Sequence, residues 1–229
     1  MIPSFDDPEF IAGKCQALCS LLQNPSVVAA FGIKGAVVDR QRDKVSGEIK
    51  WHMLQHSFVE GRKLMPLKQP QTNIDPLVFE ILHYYFGVPP QQLELGKVLH
   101  LQAMVAENSV GLLLERFIAS VLEPHGWIWC SGSTVRAVDF ICPQPLLLVQ
   151  VKNRDNSENS SSSAIREGSQ IQKWFRMYSK YYERYNWDQF PLPDQMSALR
   201  LQLNEEAFRA FVAQQMQELK MKVMAQTQF

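Results

Sequence analysis

Between Ala137 and Lys152 the chain reads AVDFICPQPLLLVQVK, two apolar runs divided by a proline-rich turn. Runs of this length, rich in Val, Ile, Leu and Phe and bounded by turn residues, read as buried strands. With the apolar residues 127–130 just upstream, they predict three consecutive strands, at 127–130, 135–141 and 146–151. Side chains two apart on a strand share a face. Gln150 and Lys152 therefore project together, beside Asp139 on the neighbouring strand. An acid, an amide and a lysine thus meet at one edge of an otherwise apolar sheet.

The rest of the chain is mostly helical in pattern. Asp7-Pro8 is an N-cap with proline in the first turn, predicting a helix over 8–23 that Asn24-Pro25 ends. Glycines and prolines punctuate 32–72 (Gly35, Gly47, Gly61, Pro66, Pro70), and no element is assigned there. Asp75-Pro76 opens a second helix to about residue 86. Past Val88-Pro89-Pro90, helical periodicity resumes and runs to 122. Beyond the strands lies a polar loop, 153–163 (NRDNSENSSSS). A helix over 165–184, a short strand over 198–203 and a C-terminal helix to 223, capped by Asn204, are expected after it. The fold class is mixed α/β, a central sheet flanked by helices. Three regions follow: a largely helical 1–108, a core at 109–203, and the C-terminal helix in 204–229.

Composition narrows the function classes. Basic and acidic residues balance at 23 each, unlike a general nucleic-acid coat protein, which carries a basic excess. The balance is uneven along the chain: 134–184 holds eight Lys/Arg against five Asp/Glu, and 1–133 holds eleven against thirteen. The local surplus surrounds the candidate strands, where a phosphate backbone would be held. No apolar run is long enough to span a bilayer, and the opening residues lack a signal-peptide layout, so a cytoplasmic protein is expected. Cys15, Cys19, Cys130 and Cys142 fit no zinc spacing and read as reduced thiols. His52 and His56 make H-x-x-x-H without the glutamate of a zinc protease. Trp174, Tyr178, Tyr181 and Tyr185 recur at helical spacing and read first as a core stripe.

Asp139, Gln150 and Lys152 have an ordinary reading as polar strand ends. Together on one edge they suit metal-assisted phosphodiester hydrolysis. Asp139 would hold a divalent cation, with the Gln150 amide oxygen and the Val151 carbonyl completing the shell. Lys152 would position a water and counter the charge of the transition state. Mg²⁺ fits such oxygen ligands, and attack on phosphorus would leave a 5′-phosphate. Asn153, Arg154, Asp155, Asn156 and Ser157, directly after this strand, offer donors and acceptors to base edges, as does Arg166 at the next helix start. The ordinary alternative is a polar surface loop.

The order helix, strand, strand, strand, helix, strand from residue 109 to 203, with Asp139 on the second strand and Gln150-x-Lys152 on the third, resembles the PD-(D/E)XK nuclease core. Two departures stand out: Val138 replaces the motif proline, and Gln150 replaces its second acid. The resemblance implies a further acidic ligand on the preceding helix, Glu115 first, with Glu107 and Glu123 behind it. The block from Val149 to Lys180 (VQVKNRDNSENSSSSAIREGSQIQKWFRMYSK) is similar to type II restriction endonucleases of the SinI and AvaII kind. That implies cleavage of double-stranded DNA at GGWCC by a homodimer, a cognate methyltransferase in the same system, and a dimerisation or DNA-embracing role for 1–108. The residues leave other readings open: a repair or transposition nuclease with this core, a catalytically silent DNA-binding protein, or an α/β interaction protein without a nucleic-acid role.

Overall fold

The two apolar runs do form the centre of a sheet. In the computed structural model, which describes residues 7–32, 35–67, 74–156 and 166–227, four strands lie in sequence order: β1 (Ile128–Trp129), β2 (Phe140–Pro143), β3 (Leu146–Arg154) and β4 (Ile171–Met177). The first two pairings are antiparallel and β3–β4 is parallel. The β2–β3 turn carries a cis Gln144–Pro145 bond. Strand alternation divides the core in two. Trp129, Phe140, Cys142, Val149, Val151 and Trp174 pack on one side, while Ile128, Ile141, Leu148 and Ile171 pack on the other.

Helices cover both faces, as a sheet that is apolar on both sides requires. On the first face lie the C-terminal half of α5 (Pro90–Leu122), through Leu113, Leu114, Phe117, Ile118 and Leu122, and α6 (Glu205–Thr227), through Phe208. On the second lie α1 (Pro8–Gln23), α2 (Pro25–Ala30) and α3 (Trp51–Glu60), through Leu18, Leu22, Val27, Leu54 and Phe58. Asp7 caps α1, accepting from the Glu9 amide at 2.9 Å, and Asn204 accepts from the Ala207 amide at 2.8 Å at the start of α6. Asn24 ends α1 and also caps α2, accepting from Ser26. α4 (Pro76–Tyr84) buries none of its side chains and packs on α5. No helix among the described residues is long and apolar enough to cross a membrane.

Three expected elements differ. The helix expected over 165–184 is instead β4, followed by a turn. Alternation in β4 is disguised because Arg176 takes an inward position beside Trp174; the Glu205 carboxylate, 2.8 and 2.9 Å away on α6, pairs its charge there. The strand expected over 198–203 is a 3-10 helix, Asp194–Leu201. Leu199 and Leu203, four apart, both enter the core, a helical rather than alternating spacing. The strand expected from 135 starts only at Phe140, because Ala137 turns the backbone to φ +51° and Val135 bridges Val37 instead.

The N-terminal helices are fastened to the sheet by one buried ion pair. The Arg62 guanidinium grips Glu123 at 2.9 and 2.6 Å, with both side chains at most 2% exposed. It lies over the rings of Phe58 and Trp129 and donates to the Trp129 carbonyl. Alongside, α3 and the loop after β1 touch backbone to backbone: a Cβ on Gly132 would fall 1.8 Å from the Ser57 carbonyl oxygen. Removing one partner of a buried ion pair leaves the other uncompensated. Arg62→Ala is expected to lose about 3–5 kcal/mol in urea unfolding, and a loss under 1 kcal/mol would show that the pair is not the fastening.

Candidate active site

Asp139 stands one residue before β2, and the β2–β3 register, Phe140 opposite Val149, continues to set it across from Gln150. Here the two strands part. The Asp139 amide still donates to the Val149 carbonyl at 2.8 Å, but the next ladder position is taken by the side chain: Asp139 Oδ2 accepts from the Val151 amide at 2.7 Å. A strand residue's N–H and C=O leave by the same edge, so the Val151 carbonyl also faces the gap.

Glu115 reaches the gap from α5. Its Oε2 accepts from Trp129 Nε1 at 2.9 Å, and Trp129 is fixed in turn through its amide, which donates to Glu123 at 3.1 Å. Burial pushes the Glu115 carboxyl up to about 8, with the charge of Asp139 adding to the rise against the Trp129 hydrogen bond and Lys152. Burial likewise pushes Asp139 up to about 6, opposed by the Val151 amide and by Lys152. Lys152 is near enough to both carboxylates to favour their charged forms. Glu115 and Asp139 open on a cleft of about 520 Å³, lined also by Trp129, Gln150, Arg136 and Gly132.

The other expected residues divide between the cleft and the surface. Gln150 is 3% exposed, and its Oε1 accepts from Arg166 Nη1, so Arg166 reaches the floor of the cleft. Of the fallback acids, Glu123 is spent on Arg62 and Glu107 is exposed on α5. Asn153 turns inward, its Oδ1 accepting from Arg176 at 2.9 Å. The Asp155 carboxylate caps a turn, accepting from the Asn156 and Ser179 amides at 2.8 Å each. Arg154 and Asn156 are exposed, and Ser157 lies outside the described residues. His52 and His56 are exposed on α3. The sequence does not single out Arg136 or Trp129. Arg136, three residues before Asp139, lines the cleft and pairs with Asp39. No spacing signal could have tied Trp129 to Glu115.

The oxygen donors suit a hard divalent cation. Among the described residues no group of three His, Cys, Asp or Glu forms a metal cage. Mg²⁺ does not ask for one, since it is commonly held by one or two carboxylates, waters and substrate phosphates. Asp139, Glu115 and the Val151 carbonyl could hold it, and a cation there would let both raised carboxyls ionise.

Comparison with known proteins decides the family. The SinI restriction endonuclease family model matches residues 3–218. The chain belongs to this family. It is 48% identical over 177 residues to the type II restriction enzyme Eco47I of Escherichia coli, covering 76% of this chain and 75% of that protein. Against the type II restriction enzyme SinI of Salmonella infantis it is 45% identical over 171 residues, covering 73% and 72%. As a SinI family member the chain is a type II restriction endonuclease, a site-specific deoxyribonuclease acting on double-stranded DNA with a divalent metal cofactor.

The raised carboxyls set a pH dependence for the metal-free SinI-type fold. Both hold their protons more tightly folded than unfolded, so their contribution to stability is complete at acid pH. It is lost as pH rises, from 3.8 to about 6 for Asp139 and from 4.5 to about 8 for Glu115. Glu115→Gln keeps an acceptor for Trp129 but cannot ionise. In EDTA at about pH 8 the variant should melt above the wild type, with the gap closing towards pH 5. Parallel melting curves across that range would contradict the assignment.

Proposed function

We propose that the cleft between Glu115, Asp139 and Lys152 cuts one DNA strand per protomer, using Mg²⁺ and leaving 5′-phosphates. The observation carrying this reading is the pair of partly buried carboxylates faced by a lysine near the end of β3, in a chain of the restriction endonuclease family. Asp139 and Glu115, with the Val151 carbonyl, would hold the metal. When bound, it would neutralise phosphate charge and lower the pKa of water at the scissile bond. Lys152 orients the attacking water and stabilises charge developing on phosphorus. Trp129 holds Glu115 in place, and the Val151 amide holds Asp139. Gln150, tied to Arg166, gives the cleft a neutral floor and would join the shell only by releasing that bond.

We further assign GGWCC as the recognition sequence, on the similarity of the block around Lys152 to the SinI and AvaII kind. Asn156 and Ser157 remain the proposed base-reading residues after β3, while Arg154, the last residue of the strand, would contact the DNA backbone. Asn153 and Asp155 would shape the loop from below, and Arg166 would act at the cleft floor. The reading includes a cytoplasmic location, consistent with four free cysteines, and a cognate methyltransferase protecting host sites. Digestion of unmethylated phage DNA, with sequencing of fragment ends, tests the activity. Mg²⁺-dependent fragments ending at GGWCC are expected, and Lys152→Ala should slow cleavage at least ~10²-fold. Ends at another motif would remove the GGWCC assignment, and undiminished cutting by Lys152→Ala would remove the role given to that lysine.

A near-palindromic target calls for two-fold protein symmetry. α4, the turn after it and the first half of α5, within the 1–108 region, support a homodimer. Leu77, Val78, Ile81, Tyr84, Tyr85, Phe86, Leu95, Val98 and Leu99 are 41–81% exposed there. Covering them would bury roughly 800–900 Å² per protomer, against the ~800 Å² of a standard interface. Light scattering at micromolar protein should give a dimer, and Ile81→Glu with Tyr85→Glu should give a folded monomer. A dimer that survives both substitutions places the interface elsewhere.

A further inference from the structure

The aromatic stripe expected inside a helix lies instead in a turn at the end of β4. Met177 bridges Tyr185, the Tyr178 amide donates to the Arg184 carbonyl at 3.1 Å, and 178–184 close a loop between them. Glu183 sits at φ +52°, a conformation that side chains other than glycine rarely adopt outside turns and functional sites. The base of the loop is pinned. Asp155 accepts from the Ser179 amide at 2.8 Å, and the Tyr178 hydroxyl reaches Asn186 at 3.3 Å.

The tip is free. Tyr181 is 55% and Tyr182 94% exposed, an unusual state for side chains that gain by burial. The Arg184 guanidinium lies 4.7 Å over the Tyr178 ring and 5.2 Å from Tyr181, which holds its planar fork in one orientation. Lys180 and Arg154 are exposed beside it, and these three cations have no carboxylate partner among the described residues. Arg209, also at this cleft, already serves Glu205, Glu183 and Tyr185.

Topology places this cluster at the active-site end of the sheet. β3 and β4 are parallel, with Lys152 beside Phe175 and Arg154 beside Met177, so both strands leave the sheet where the Asp139–Lys152 cleft opens. Arg154 shares the strand face of Lys152 and also lines the cleft of about 510 Å³ with Tyr178, Lys180, Tyr181 and Tyr182. From Lys152 to the start of the turn is two strand residues and one strand spacing, ~10 Å, which is roughly three base pairs of duplex.

We propose that the 178–184 turn, with Arg154, is a clamp on the phosphate backbone of duplex DNA beside the scissile phosphate. Arg184, Lys180 and Arg154 engage phosphate oxygens; Tyr178 and Tyr181 form the platform that fixes Arg184, and the exposed Tyr181 and Tyr182 offer hydroxyl donors. The inference rests on the endonuclease reading and adds to it a sequence-independent grip separate from the base-reading loop. Losing a phosphate contact weakens binding uniformly across sequences and reduces its salt dependence, whereas losing a base contact does neither.

The test is binding of wild type and Lys180→Ala/Arg184→Ala to a short GGWCC duplex and to a scrambled one, in EDTA, over a series of salt concentrations. The double variant should melt as wild type, bind both duplexes about tenfold more weakly, and show a log K against log salt slope smaller by about two. Tyr182→Phe and Tyr182→Ala, in the same assay, should weaken binding to both duplexes alike. Wild-type binding with variants unchanged in affinity and slope overturns the clamp, as does a loss confined to the GGWCC duplex, which would mark base reading. A wild type without affinity for either duplex overturns the DNA reading and the clamp together.

Discussion

A single buried ion pair ties this molecule together. Arg62 and Glu123 come from elements 61 residues apart in sequence, and each is almost wholly removed from water. Such a pair is tolerated only when geometry and surrounding hydrogen bonds offset desolvation. Here the Glu123 carboxylate also accepts from the Trp129 amide, Lys14 donates to the Glu123 and Trp127 carbonyls at 2.6 and 2.8 Å, and Arg116 donates to the Arg62 carbonyl. The cluster joins α1, α3, α5 and β1 at one point. It also fixes Trp129, whose indole holds Glu115, so the fastening of the helices to the sheet and the placement of an active-site acid depend on the same charges.

The cleft shows the complementary arrangement, charges left without full compensation. Glu115 and Asp139 lie close together and partly buried, and Lys152 and two neutral donors favour their ionised forms. A purely structural site would pair them with arginine, as Glu123 is paired. Carboxylates held apart from such partners, under a lysine and beside a free strand edge, are poised for a cation and a phosphate. The place where β2 and β3 separate is what exposes the Val151 amide and carbonyl to this chemistry.

Much of this was legible along the chain. The apolar runs flanking Pro-Gln-Pro, the two-residue spacing of Gln150 and Lys152, and the caps at Asp7, Asp75 and Asn204 all act locally, and each appears where local rules put it. The departures have long-range causes. β4 reads as a helix in sequence because Arg176 faces inward, where Glu205 on the distant α6 pairs its charge. The start of β2 moved because Val135 pairs with Val37. The tyrosines of 178–185 kept helical spacing by coincidence while a pinned turn carried Tyr181 and Tyr182 into solvent.

By itself, then, the sequence determined the strand periods, the helix boundaries set by capping residues, and the identity of Asp139, Gln150 and Lys152 as neighbours on adjacent strands. These follow from backbone geometry within a few residues. Only the tertiary structure decided which acid on α5 faces Asp139, since Glu107, Glu115 and Glu123 are alike in sequence and differ in what the fold packs against them. It likewise turned Asn153 and Asp155 inward and gathered Arg154, Lys180 and Arg184 at one end of the sheet. Those outcomes depend on contacts between distant segments, where desolvation and charge pairing, rather than local propensity, set the lowest free energy.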